Sequence, residues 1–252
     1  MTRTARLLKL LCLGYRWILA DNLVGTYLHG SYVLGGYQEV SSDLDYLVVV
    51  RRPLTTSEKL RLMTWTLEKL WPLAPRKGLE FHILQAKQVV HFEAPVAFEF
   101  HFSEMHYQTY QRDPLAYIQR MHGGDPDLTA HLKIITNFGQ VLIGPAISRI
   151  FGRVPDADYW QSIVYDLADA RVMIGRQPVY VILNLCRAVA FREAGLILSK
   201  LAGGQYGCSR LPQYRSLIQQ ALQVYLTGQK QVFETSELVG FAENLLKRLK
   251  IE

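Results

Sequence analysis

Cysteine is scarce in this chain. Its three residues, Cys12, Cys186 and Cys208, are odd in number and show no Cys-x-x-Cys spacing. That excludes a thiolate zinc module and a disulfide framework, and it points to reduced thiols in a cytoplasmic protein. Long apolar runs are also missing, so the sequence offers no membrane span. The N-terminal MTRTARLLKLLCLGYRWILA is basic and then leucine-rich, yet Lys9 and Arg16 interrupt it and no small-x-small cleavage site follows. Leu7, Leu8, Leu11, Tyr15, Ile18 and Leu19 instead mark one face of an amphipathic helix. Basic blocks, internal repeats and low-complexity segments are absent too. The net charge is +6, but its densest groups are only Arg51-Arg52 and Lys247-Arg248-Lys250. That balance suits an anionic ligand, and no basic stripe marks a nucleic-acid interface.

What the chain has is periodic segments separated by glycine and proline. Residues 23–28 read as a short strand ending at Gly30-Ser31, and residues 46–50 as a second strand closed by Pro53. Thr55 or Ser57 can cap a helix running to Leu70. Residues 79–84 alternate well enough for a third strand, and Phe98-Glu99-Phe100-His101-Phe102 alternates strictly, as a fourth. From Asp127 the pattern turns helical: 127–138, 159–174, 179–194, 212–226 and 234–249, with Gly175, Gly195, Gly203-Gly204 and Gly228 as punctuation. The layout is an N-terminal α/β domain of residues 1–153 followed by a helical bundle of residues 154–252.

Asp43-Leu44-Asp45 places two carboxylates at the start of an apolar strand, where aspartate is otherwise depleted. Alternate strand residues share a face, about 7 Å apart. Asp43 and Asp45 therefore converge, and they repel unless a cation sits between them. Magnesium, which takes one or two carboxylates plus phosphate oxygens, fits that position. Glu80, opening the third strand, supplies a third carboxylate. Such a trio suggests nucleotidyl transfer, with the aspartates as metal ligands and Glu80 as the base that deprotonates an acceptor hydroxyl. Gly30 lets phosphate approach the backbone, and Ser31 can bind it through its hydroxyl.

Gly30-Ser31, Gly35-Gly36, Ser42-Asp43-Leu44-Asp45 and Leu79-Glu80 together resemble the nucleotidyltransferase fold of the polymerase-beta superfamily. They are most similar to the streptomycin/spectinomycin (aminoglycoside) adenylyltransferases. Val181 to Arg187, Gly195, Ser199-Lys200, Leu211-Pro212, Tyr214 and Tyr225-Leu226 with Gly228 extend the likeness across the second half. The resemblance implies an α+β nucleotidyltransferase fold, a small mixed sheet with helices, followed by an all-α bundle closing the cleft. It implies Mg2+ at Asp43 and Asp45, ATP as co-substrate and Glu80 as catalytic base. It places Ser31 and Ser42 near the triphosphate, Arg187 and Lys200 as cations reaching the phosphates, and Tyr225 as a nucleotide contact. The implied acceptor is a small cationic aminoglycoside or aminocyclitol, bound by a monomer without membrane or nucleic acid.

The chain departs from the family where the acceptor would sit. Phe102-Ser103-Glu104-Met105 stands where streptomycin-binding members carry Phe-Gly-Glu-Trp, and Gln177-Pro178 with Tyr180 stands where they carry an Asp-Glu pair. Met105, Gln177 and Tyr180, with Glu80, are thus the expected acceptor positions. Replacement carboxylates or imidazoles would come from Glu99, His101, Glu104, His106, Asp166 or Asp169. A protein or tRNA acceptor, and a nucleotide-binding regulator without transfer, are the alternatives. His82, His91, His101 and His106 match no zinc spacing. Tyr107, Tyr110 and Tyr117 read as helix packing, and residues 122–127 as a plain loop.

Overall fold

A computed structural model describes residues 1–251. Its strands are β1 (Leu23–Leu28), β2 (Leu44–Val50), β3 (Leu79–Gln85), β4 (Val96–Phe98), β5 (Phe100–Phe102), β6 (Gly123–Asp125) and β7 (Gln140–Ile143). Five of them form one mixed sheet in the order β5-β3-β2-β1-β7, in which only β2 and β3 run parallel. Both sheet faces are covered, so β2 is an unbroken apolar run after Asp45. Leu44, Tyr46, Val48 and Val50 face one core with the helices Arg3–Leu19 and Thr56–Trp65, while Leu47 and Val49 face a second core under the helix Leu128–Phe138. By the same alternation Leu79, Phe81 and Ile83 of β3 join the first core and Leu84 the second. Asp45, Glu80 and His82 therefore share the face that the helix Leu128–Phe138 covers.

Several local readings hold. Leu7, Leu11, Tyr15, Ile18 and Leu19 are buried on the first helix. Thr55 caps the next through a reciprocal box in which the Glu58 amide donates to Thr55 Oγ1 and the Thr55 amide to the Glu58 carboxylate. That helix ends at Trp65, and a π-helical segment, Thr66–Leu70, replaces its expected continuation. Tyr110 and Tyr117 pack in the first core.

Others need correction. The alternating run 98–102 is two strands. Phe98 packs against the second core and Phe100 and Phe102 in the first, so the chain changes faces at Glu99. β4 pairs with β6, a strand inside the segment read as a loop, whereas β5 pairs with β3. The edge strand β7, only four residues long, lies in a stretch to which the sequence assigned no strand.

The second half is helical: Asp156–Asp166, Pro178–Ala194, Lys200–Arg210, Arg215–Thr227 and Thr235–Leu249. A single core running from Leu167 to Ile251 holds most of it. The expected helix over 159–174 breaks after Asp166 and resumes as the turn Ala170–Met173. Gly203-Gly204 is not a boundary but lies inside the helix Lys200–Arg210. A Cβ at Gly203 would fall 2.5 Å from Arg187 Cγ, one at Gly204 2.6 Å from Leu222 Cδ2, and one at Gly207 2.5 Å from Cys186 Sγ. Glycine here serves close helix approach rather than helix termination. Gly195 and Gly228, with φ of 65° and 70°, do terminate helices. No helix among the described residues is long and apolar enough to cross a membrane.

Candidate active site

The principal cleft opens between the sheet's Asp45–Glu80 end and the helical half. Asp45 and Glu80 are register partners on the parallel strands β2 and β3, and Asp43 immediately precedes β2. One carboxylate oxygen from each of Asp43, Asp45 and Glu80 lies within 4.8 Å of the others. The turn Gly30–Val33 follows β1, and Gly30 adopts a φ of 62° there. A Cβ on Gly30 would fall 1.8 Å from Asp45 Oδ2, so glycine is required by close approach as well as by backbone conformation. The His29 amide donates to the Asp45 carbonyl at 3.1 Å and ties this turn to β2.

Electrostatically the trio is unfinished. Burial, then the charges of Asp43 and Glu80, push the Asp45 carboxyl well above the ordinary range. Burial and Glu80 raise Asp43 likewise. Burial also acts to raise Glu80, but the His101 imidazole beside it and the neighbouring His131 and His82 outweigh it and bring Glu80 down to about 2. Hard oxygen donors that repel one another, around space that a methyl group would fill, fit a divalent cation such as magnesium.

The opposite wall comes from the helical half. Arg187 Nε donates to the Leu198 carbonyl at 2.8 Å and Nη1 to Asn184 Oδ1 at 3.0 Å. Lys200 opens the next helix, capped by Ser199, and its Nζ lies 4.8 Å from the Tyr180 ring centroid. Burial and Arg187 lower the Lys200 pKa. Tyr225 donates its hydroxyl to the Gly36 carbonyl at 3.2 Å and thereby links the two halves. Ser42 is buried and its Oγ accepts from the Gln38 amide. Ser31 Oγ is buried without a partner.

Gly30, Ser31, Ser42, Asp43, Asp45, Glu80, Tyr180, Arg187, Lys200 and Tyr225 all line this cleft. Met105 and Gln177 do not; both are exposed elsewhere. Met105 enters a short helical turn on the surface, and Gln177 precedes a helix whose first side chain to line the cleft is Tyr180. Sequence reasoning passed over His29, Lys77, Asp127, His131 and Asn184, which also line the cleft. Of these, only Asp127 and His131 carried a readable signal, an i,i+4 pair now 3.4 Å apart. Asp127 outweighs the burial of His131 and, with Glu80 and Asp45, raises its pKa to about 10.

The histidines gather behind Glu80. His82 and His101, cross-strand partners on β3 and β5, stack with centroids 3.9 Å apart and planes 3° from parallel. His101 Nε2 is 3.5 Å from Glu80 Oε1 and His82 Nε2 3.3 Å from Asp125 Oδ2. Glu80, His82 and His101 thus approach within metal-binding reach that their spacing concealed. Lone pairs in parallel planes do not converge, however, so an ion between these rings would lie outside both donor directions. His91 is exposed and apart.

Residues 149–248 match the family model described as aminoglycoside adenylyltransferase, C-terminal domain. A spectinomycin 9-adenylyltransferase from Enterococcus faecalis is 28% identical over 92% of this chain and 91% of its own length. An aminoglycoside (3'') (9) adenylyltransferase from Escherichia coli is 28% identical over 84% and 81%. The crystal structure of the Enterococcus spectinomycin adenyltransferase with ATP and spectinomycin superposes with a TM-score of 0.81 at 24% identity, covering 98% of this chain and 99% of that one. The nucleotidyltransferase fold expected from the sequence is therefore present in full. The chain thus resembles the aminoglycoside adenylyltransferases over nearly its whole length and has the fold of a nucleotidyltransferase enzyme.

Proposed function

We propose that this enzyme transfers the adenylyl group of ATP to a hydroxyl of a small cationic acceptor, an aminoglycoside or aminocyclitol antibiotic such as streptomycin or spectinomycin. One observation carries the reading: Asp43, Asp45 and Glu80 converge within 4.8 Å across a cleft from Lys200 and Arg187. Asp43 and Asp45 would hold magnesium, which when bound neutralises charge on the triphosphate and its leaving pyrophosphate. Gly30 and Ser31 offer the phosphates a close, partner-free approach, and Ser42 and Tyr225 shape the nucleotide side. Lys200 and Arg187 bind phosphate oxygens through charge-assisted hydrogen bonds. The chain works as two lobes, residues 1–153 and 154–252, with the acceptor between them.

Glu80 takes the acceptor hydroxyl's proton. Held near pKa 2, its carboxylate is ionised at any physiological pH. So acidic a group accepts the proton only as the new P–O bond forms and the hydroxyl acidifies. Glu80→Gln is expected to lower turnover by about 10²–10⁴-fold with little change in ATP affinity. Incubation with labelled ATP and a panel of aminoglycosides, spectinomycin, tRNA and the protein itself tests the acceptor. Pyrophosphate release only with an antibiotic supports this reading. Labelled macromolecule, or ATP binding without release, refutes it.

A further inference from the structure

The cleft's charges are segregated, and the partition is Tyr180. The ring of Tyr180 lies beneath the Lys200 ammonium, while its hydroxyl donates to Asp166 Oδ1. Asn184 repeats the arrangement: Nδ2 donates to Asp166 Oδ2 at 3.1 Å, and Oδ1 accepts from Arg187 at 3.0 Å. Two neutral side chains thus turn their electron-rich sides to the cations and their donors to one carboxylate. Asp166, the last residue of the helix Asp156–Asp166, faces the open cleft and is reachable by solvent there. Among the described residues no Lys, Arg or His nitrogen comes within salt-bridge distance of it.

The other acidic candidates are committed or displaced. Asp43, Asp45 and Glu80 form the trio, and Asp127 pairs with His131. Glu99 accepts from Gln85, and neither Glu104 nor Asp169 lines the cleft. Triphosphate would occupy the Lys200–Arg187 wall, which leaves Asp166 as the one oriented carboxylate with no cation assigned to it. Each of its oxygens holds one protein donor and keeps a lone pair free.

We propose that Asp166 is the acceptor anchor: its carboxylate, fixed by Tyr180 and Asn184, binds an ammonium group of the acceptor and selects basic acceptors over neutral ones. This rests on the adenylyl-transfer reading above. Recognition has moved from the exposed position Gln177 to the end of the preceding helix, across Tyr180.

The test compares wild type, Asp166→Asn and Asp166→Lys, with magnesium-ATP and spectinomycin, streptomycin or N-acetylated spectinomycin as acceptor. For the antibiotic that wild type modifies, Asp166→Asn is expected to raise acceptor KM by about tenfold or more, while ATP KM stays within about twofold. Asp166→Lys is expected to abolish transfer. Acetylated spectinomycin, lacking the cation, is expected to be a poor acceptor that barely distinguishes wild type from Asp166→Asn. Tm and ATP binding by calorimetry establish that both variants fold. An unchanged acceptor KM in folded Asp166→Asn, or a parallel rise in ATP KM, overturns the proposal alone. No transfer by wild type to either antibiotic overturns the acceptor reading and this proposal with it.

Discussion

Gly207 sits inside the helix Lys200–Arg210, where alanine outranks glycine by about 1 kcal/mol in an open helix. Propensity alone therefore predicts that Gly207→Ala stabilises the protein. Packing predicts the reverse. The added methyl would fall 2.5 Å from Cys186 Sγ and 3.1 Å from Cys186 Cβ, an atom fixed to the backbone of the helix Pro178–Ala194. Overpacking a full core costs about 1–3 kcal/mol, which offsets the propensity gain and leaves a net loss of up to about 2 kcal/mol. For a chain of this size that lowers Tm by up to about 8 °C. Gly240→Ala is the internal control. It lies within the helix Thr235–Leu249, and nothing lies within 4 Å of its added Cβ. That substitution is expected to stabilise by about 0.5–1 kcal/mol. Urea midpoints at constant m-value measure both variants. If Gly207→Ala stabilises as Gly240→Ala does, the close helix approach that sets Lys200 beside Arg187 is not what holds this half together.

Gly30→Ala is expected to abolish transfer at a stability cost of about 1–2 kcal/mol, because its Cβ displaces Asp45 and its φ is positive; near-normal turnover would refute the cradle. Asp45→Asn removes mutual repulsion, so in chelator it is expected to raise stability by about 1 kcal/mol while eliminating turnover, and a lower Tm would count against the unfinished charge balance. Burial acts to raise the Glu58 pKa, but hydrogen bonds from Arg52 and Thr55 carry it down to about 2. Its contribution is therefore complete above about pH 4.5 and lost as pH falls toward 2, worth about 1–2 kcal/mol after allowing for the exposure of Arg52. Wild type and Glu58→Gln should differ at pH 7 and converge in acid-denaturation curves below pH 3 or so; parallel curves would refute this.

The reaction centre was legible because its residues obey strand geometry. Asp43, Leu44 and Asp45 alternate, and Glu80 opens the neighbouring strand, so few assumptions bring the trio together. Phe98 to Phe102 shows the limit of the same rule. Period two marks extended chain but not the point at which a strand crosses from one core to another. Gly203-Gly204 failed for a different reason: glycine ends helices and also lets them touch, and only the partner helix distinguishes the two uses. The acceptor side was illegible because its organisation is purely tertiary. Tyr180, Asn184 and Asp166 acquire meaning from pairings across helices, and no local pattern marks a carboxylate as lacking a cation.

Asp45 and Glu80 face each other as register partners on hydrogen-bonded strands. Their separation is thus set by the strand spacing common to all sheets, about 4.8 Å, rather than by how well the surrounding side chains fit. Mutations that loosen the core leave that dimension untouched, and only a slip of register would alter it. The heat inactivation profile of the chemical step should therefore track global unfolding, with no prior softening of activity. Drift in the helical half can retune what is bound without detuning what is done to it.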